Sequence, residues 1–143
     1  MKWYARWEFF ALASAFFAGL TALFGKMGVM NINSNLATFI RTLVVLIMTT
    51  GILVWRQQWQ WAGNTAMKTW VFLVLSGMAT GLSWICYYRA LSLGPVSKVA
   101  PIDKLSVAFA IILGVLFLGE HLTWQVVLGA GFIILGTAVI ILF

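Results

Sequence analysis

Five long apolar runs restrict the fold of this chain more than any other feature. They cover approximately residues 7–25, 36–55, 69–93, 99–118 and 124–143. A helix needs about 20 apolar residues to cross the ~30 Å hydrocarbon core of a bilayer. Because lipid offers the backbone no hydrogen-bond partners, runs of this length predict helices that satisfy their own backbone groups. The sequence therefore predicts an all-α integral membrane protein, with a single transmembrane domain over residues 1–143.

The charge content excludes a water-soluble domain. Only 8% of the residues are charged, whereas soluble domains carry roughly 25%. The nine basic residues, which give a net charge of +6, are scattered singly between the apolar runs. Flanking basic residues orient a protein in a bilayer, and they form no stripe that would fit a nucleic acid. We expect membrane lipids as the surroundings and no nucleic-acid partner.

The distribution of basic residues gives a weak orientation signal. Five spans place the two termini on opposite sides of the membrane. The N-terminal side holds Lys2, Arg6, Arg56 and Lys68, and the other side holds Lys26, Arg89 and Lys98. The positive-inside rule barely favours an N-terminus inside. Insertion in both orientations would give the same balance, and so would chance in a small sample, so both explanations stay open.

Charged residues inside the runs are the main functional candidates, because insertion scales assign each about 2.5–3.5 kcal/mol at mid-bilayer. Arg41 lies about six residues, ~9 Å, into the second run, and we expect it to face the protein interior, with snorkelling outward as the alternative. Asp103 and Lys104 lie at a similar depth in the fourth run. They either join Arg41 in an interior cluster, with Asp103 as its ion-pair partner, or lie at the interface. In the second case Pro101 would begin the helix and Asp103 would lie in its first turn.

Two neighbouring faces of the third run carry hydroxyl groups and aromatic rings. The first face contains Ser76, Thr80, Ser83 and Tyr87, and the second contains Gly77, Gly81, Trp84 and Tyr88. Hydroxyl groups in membrane helices often bond to their own preceding carbonyl groups, which is the alternative to a ligand role. The aromatic rings, with Arg89 nearby, can form a cavity wall for flat amphipathic or anionic ligands. The predicted substrate cavity therefore contains Arg41, Trp84, Tyr87, Tyr88, Asp103 and Lys104.

The remaining polar and small residues suggest coupling and packing roles. Glu8, at the entry of the first run, is most simply a solvated first-turn residue, but Glu8 and Asp103 are the two candidates for proton coupling. Gly129 and Gly136 are seven residues apart on one face of the last run and predict helix–helix packing. With one histidine, one cysteine and three acidic residues, the chain offers no metal-ligand set and no catalytic triad. We expect no enzyme activity, no metal and no cofactor.

One passage carries a family resemblance. Positions 86–140, CYYRALSLGPVSKVAPIDKLSVAFAIILGVLFLGEHLTWQVVLGAGFIILGTAVI, resemble the EamA family of the drug/metabolite transporter superfamily. Further support comes from LFGKMGV in the first run and FIRTLVVLIM in the second, and the order of the five spans agrees. Family members usually hold two inverted five-helix repeats, so this single repeat is expected to pair as an antiparallel homodimer. Lys26, Arg41 and Glu120 match family-typical positions, which assigns them no role.

The resemblance implies a secondary transporter that exports a small metabolite or an amphipathic drug-like compound by alternating access, in a prokaryotic cytoplasmic membrane. Intramembrane charge agrees with a midplane site at the interface between repeats. The small multidrug-resistance relatives have their coupling glutamate near the position of Ala18, so that residue is missing here, whereas Gly129 and Gly136 match their terminal-helix spacing. Two hypotheses compete: a non-transporting subunit that assists the handling of lipid-linked sugars, and a channel, for which no selectivity motif is visible.

Overall fold

The computed structural model describes residues 7–59 and 65–142, and its regular segments are helices. The six helices are α1 Trp7–Val29, α2 Ser34–Trp55, α3 Met67–Leu93, α4 Val96–Asp103, α5 Ser106–Leu118 and α6 Trp124–Leu142. In this part of the chain, α1, α2, α3, α6 and the combined segment Val96–Leu118 are each long and apolar enough to cross a membrane. An all-helical protein with five such segments is therefore confirmed. Lys2, Arg6, Phe143 and residues 60–64 of the predicted loop lie outside the described residues.

The first two helices extend beyond the apolar runs that predicted them. α1 continues to Val29 through Gly25 and Gly28, because glycine, unlike proline, keeps its backbone donor. α2 begins at Ser34, where the side chain of Asn33 accepts a hydrogen bond from the backbone N–H of Asn35 at 2.8 Å. A side-chain oxygen at this position satisfies one of the N–H groups that a helix start leaves without a partner. Helix ends thus depend on backbone hydrogen bonding, which hydropathy does not report.

The fourth span consists of two helices. Pro101 is the sixth residue of α4 and lacks the N–H that would continue the helical ladder. After it, the backbone N–H groups of Lys104 and Leu105 bond three residues back, to Pro101 and Ile102, each at 3.0 Å. These tighter bonds separate α4 from α5. Asp103 is therefore the last residue of α4, and the alternative in which Pro101 begins a helix and Asp103 lies in its first turn is wrong.

The described residues divide into two compact units. The 24–93 unit contains the end of α1, all of α2 and all of α3, and α2 packs along α3. The two-segment unit contains residues 7–23 and 94–142, and in it α6 packs against α4 and α5. Most large apolar side chains on these helices are exposed. That pattern suits a protein surrounded by hydrocarbon rather than by water.

Candidate functional site

Arg41 lies on the face of α2 that meets α3. It is the eighth residue of α2, about 10 Å from the helix start at a rise of 1.5 Å per residue. Its Cζ atom lies 3.8 Å from the centroid of the Trp84 ring and 5.6 Å from that of Tyr88. Both distances fall within the ~6 Å reach of a cation–π interaction. The 24–93 unit thus brings together three of the residues predicted for the cavity.

The guanidinium of Arg41 retains hydrogen-bonding capacity. Its Nη1 atom is buried, and no acceptor for it is found among the described residues. Stacking on Trp84 occupies a face of the guanidinium, whereas its N–H groups point outward in the plane. Buried donors without a protein acceptor are uncommon, and water, an ion or a ligand can satisfy them. The arrangement can therefore accept an oxygen ligand without breaking the stacked pair.

Tyr88 is fixed by its packing against α1. Its side chain is buried, and a Cβ atom added at Gly25 would lie 3.1 Å from the Tyr88 hydroxyl oxygen and 3.3 Å from Cδ1 of Leu91. Only a glycine at position 25 allows this contact without a shift of the ring. The ring of Tyr87 meets that of Tyr88 edge-on, with centroids 6.3 Å apart. Gly25 therefore helps to determine where the Tyr88 ring lies relative to Arg41.

Lys26 holds the C-terminal end of α3. Its Nζ atom donates a 2.7 Å hydrogen bond to the backbone carbonyl of Leu91, in the last turn of that helix. The final carbonyl groups of a helix have no partner within it and carry partial negative charge, so an ammonium group suits them. The resemblance singled out Lys26 without a role, and the structure places it as a link between α1 and α3.

Asp103 and Lys104 lie at the break between α4 and α5, in the two-segment unit. Lys104 Nζ lies 3.5 Å from Asp103 Oδ2, and their side chains are 54% and 37% exposed. The two opposite charges therefore partly neutralise each other where they stand. Pairing of Asp103 with Arg41, and membership of Asp103 and Lys104 in the substrate cavity, stay predictions.

Thr137 of α6 is a buried polar residue that the sequence reading did not single out. Its hydroxyl donates to the carbonyl of Ile133 at 2.8 Å and lies 3.4 Å from the carbonyl of Pro101. Thr137 thereby links α6 to the helix that the proline interrupts. The available signal was a single hydroxyl in a strongly apolar run, opposite a proline in the preceding span.

The other predicted residues differ in their local surroundings. Thr80 donates to the carbonyl of Ser76 at 2.8 Å, so its hydroxyl follows the local alternative. Glu8 is half-buried in the first turn of α1, where a helix favours negative charge. Gly129 and Gly136 lie on α6 with no described atom within 4 Å of an added Cβ, so their face is open. No three His, Cys, Asp or Glu residues in 7–59 and 65–142 come close enough to hold a metal ion.

Segments able to cross a bilayer define an integral membrane protein, and an arginine inside one of them is a candidate functional residue. The chain belongs to the EamA-like transporter family, which matches residues 5–142. A protein of Sinorhizobium sp. named "Uncharacterized transporter in cobO 3'region" is 50% identical over 137 residues, which cover 96% of this chain and 97% of that protein. No solved structure matches the chain. The family and this relative indicate a membrane transporter rather than an enzyme.

Proposed function

We propose that the protein is a secondary transporter that exports a small metabolite or an amphipathic drug-like compound across the cytoplasmic membrane of a prokaryotic cell. Family membership and the name of the similar protein support transport as the activity. The observation that carries the proposal is Arg41, a cation inside an apolar helix whose buried Nη1 atom has no acceptor among the described residues. Ionisable groups in such positions mark substrate and ion pathways.

The proposed substrate cavity is built around the Arg41 side chain. Trp84 and Tyr88 lie against the guanidinium, and Tyr87 extends the aromatic surface. Alternating access would expose the cavity to one side of the membrane at a time, as in transporters built from repeats around a midplane site.

The proposed transporter is an antiparallel homodimer. The open face of Gly129 and Gly136 on α6 permits a close approach of a second helix. The near-equal count of basic residues on the two sides supports insertion in both orientations. Two inverted copies would then reproduce the inverted repeats that surround a transporter's central site.

Orientation can be measured with one introduced thiol. Cys86, the single cysteine, is replaced by serine, and Gln58→Cys is introduced in the exposed turn after α2. A membrane-impermeant maleimide added to intact cells should label about half of the molecules if both orientations occur. Labelling of all or none of them would contradict the antiparallel dimer. Two lysines added to the same loop should fix one orientation and abolish transport.

Proton coupling is assigned to Asp103, with Glu8 as the second candidate. Uptake into proteoliposomes, measured with and without a pH gradient, should lose its dependence on the gradient in Asp103→Asn. A gradient dependence that survives Asp103→Asn but not Glu8→Gln would transfer the role to Glu8. If both variants keep it, proton coupling by these carboxylates is wrong.

The activity itself is tested with purified protein in liposomes and a panel of labelled metabolites. We expect saturable uptake above that of protein-free liposomes, with a loss of at least about tenfold in Arg41→Ala, because a charged hydrogen bond contributes about 1.5–3 kcal/mol. No uptake of any compound, together with isolation of the protein only as a hetero-pair with a lipid-handling partner, would favour a non-transporting subunit instead.

A further inference from the structure

Arg41 has no counter-charge within its own unit. Between Phe24 and Leu93 the sequence contains five basic residues and no acidic one. These basic residues are Lys26, Arg41, Arg56, Lys68 and Arg89. A buried charge left without a partner is strongly unfavourable, and an apolar span supplies no water to replace one. No carboxylate within residues 24–93 can therefore balance Arg41.

The three acidic residues of the chain all belong to the two-segment unit. Asp103 already contacts Lys104 at 3.5 Å. Glu120 follows the left-handed Gly119 that ends α5, and its side chain lies against Gly114, where an added Cβ would be 2.9 Å from Oε2. Glu8 has an interaction of its own. Asp103 thus has a counter-charge beside it, and a bound anion is the simplest counter-charge for Arg41.

The geometry of the stacked pair restricts how such an anion can bind. Trp84 covers one face of the guanidinium, with Cζ at 3.8 Å from the ring centroid. An anion's oxygen atoms accept hydrogen bonds in the guanidinium plane, at the edge that carries the N–H groups. Nη1 lies on that edge and has no acceptor among the described residues. The face is therefore occupied by an aromatic ring, and the edge is available to an oxyanion.

We infer that Arg41 binds the anionic head group of an organic substrate, a carboxylate, sulfonate or phosphate, so that the protein transports organic anions rather than organic cations. The inference rests on the proposed transport function and names the substrate class of the same site. Trp84 acts as a positioning residue, because it holds the plane of the guanidinium. In the 24–93 unit the ammonium of a cationic drug would be repelled by Arg41 and would find no acidic side chain to pair with.

Three probes of similar size but different charge test which sign of charge the site binds. Benzenesulfonate is an anion, benzenesulfonamide its neutral analogue, and benzyltrimethylammonium a cation; the two ions cross protein-free bilayers poorly. In proteoliposomes we expect saturable uptake of benzenesulfonate. Benzenesulfonamide should compete at least about tenfold less well, because the charge-assisted hydrogen bonds are lost. Benzyltrimethylammonium should neither enter nor compete.

A carboxylate introduced next to Arg41 tests the same inference, and its uncharged amide analogue is the control. Val45 lies one helical turn after Arg41 on α2 and is half-buried, so a residue there neighbours Arg41 at the i,i+4 spacing. Val45→Glu should neutralise Arg41 within the unit and lower benzenesulfonate uptake by about tenfold or more. Val45→Gln has nearly the same shape without the charge, and it should stay within about twofold of the parent. If Val45→Glu does not fold, Val44→Glu places the charge at the exposed i+3 position.

Thermal unfolding in detergent, with and without benzenesulfonate, separates binding from transport. A shift in the unfolding midpoint that Val45→Glu abolishes and Val45→Gln keeps supports the anion site even if no uptake is seen, in which case the transport proposal alone fails. Uptake of benzyltrimethylammonium but not of benzenesulfonate would overturn the substrate class and leave transport standing. Equal effects of the two Val45 variants, or neither uptake nor a midpoint shift with benzenesulfonate, would overturn the inference.

Discussion

The two units of the described chain differ in the signs of their charged residues and in how those charges are paired. The 24–93 unit contains only cations, and its interior arginine is stacked on an aromatic ring. The two-segment unit contains every acidic residue, and at its helix break Asp103 and Lys104 contact each other. A charge with a neighbour of opposite sign is stabilised where it stands, whereas a cation supported only by aromatic rings still attracts an anion. The comparison therefore supports the proposal that Arg41 in the 24–93 unit binds the ligand.

The largest expected effect comes from replacing Arg41 by lysine. Lysine keeps the positive charge but loses the planar fork and the stacked contact with Trp84. We expect Arg41→Lys to insert and fold yet lose about tenfold or more of its uptake. Arg56→Lys, in the exposed turn after α2, is the matched control and should transport normally. Normal uptake by Arg41→Lys would show that a point charge suffices and would end the claim for the fork.

Trp84 is expected to have the next largest effect. Trp84→Leu removes the ring beneath the guanidinium, and a cation–π contact in a desolvated setting contributes about 2 kcal/mol. Uptake should fall by about tenfold, mostly through a higher KM, while Trp84→Phe should recover part of it. A fall in stability with an unchanged KM would mean that Trp84 only packs α3 against α2.

Gly25 and Gly28 allow a test of how the 24–93 unit fixes Tyr88. A Cβ at position 25 would crowd the Tyr88 ring at 3.1–3.3 Å, whereas nothing described lies within 4 Å of one at position 28. Alanine for glycine inside a helix normally stabilises by about 0.5–1 kcal/mol. Gly28→Ala should therefore raise the thermal unfolding midpoint, and Gly25→Ala should lower it and weaken uptake. An equal rise in the unfolding midpoint for both substitutions would mean that the Tyr88 ring moves aside without a free-energy cost.

The smallest expected effect tests the two-segment unit. Thr137 and Thr80 both donate to the carbonyl four residues back at 2.8 Å, but only Thr137 also lies 3.4 Å from the Pro101 carbonyl. Hydrogen bonds between membrane helices contribute about 0.6 kcal/mol on average. Thr137→Val should lower the free energy of unfolding by about that much more than Thr80→Val. If chemical unfolding in detergent gives the two variants the same free energy of unfolding, the contact between Thr137 and the Pro101 carbonyl does not contribute to stability.

Hydropathy was sufficient for the number and type of the spans, because both depend on the length and composition of apolar segments. The break after Pro101 was not predicted, because an apolar run does not reveal which backbone donors are lost. Thr137 was missed for a related reason: a lone hydroxyl in an apolar helix looks like one that bonds only to its own turn. Both features arise from backbone hydrogen bonding across the two-segment unit.

The arginine site was predicted in part. The sequence predicted all three residues of the cluster. Arg41 was predicted from its depth in the second run, and Trp84 and Tyr88 from their helical spacing in the third. Their contact depends on the rotation of α2 against α3, which spacing within a single helix does not contain. The absence of acidic residues from the 24–93 unit was not predicted either, because the division of the chain into folded units cannot be read from the sidedness of its charges.

The interruption of the fourth span has a mechanical consequence. A 3₁₀ turn within a span often marks a hinge, so a pivot of α4 relative to α5 would occur at the tighter turn at Lys104 and Leu105. The Thr137 hydroxyl is the polar link between α6 and the Pro101 carbonyl that this pivot would stretch. A link of about 0.6 kcal/mol is close to the thermal energy at room temperature. A contact this weak would add little resistance to such a pivot.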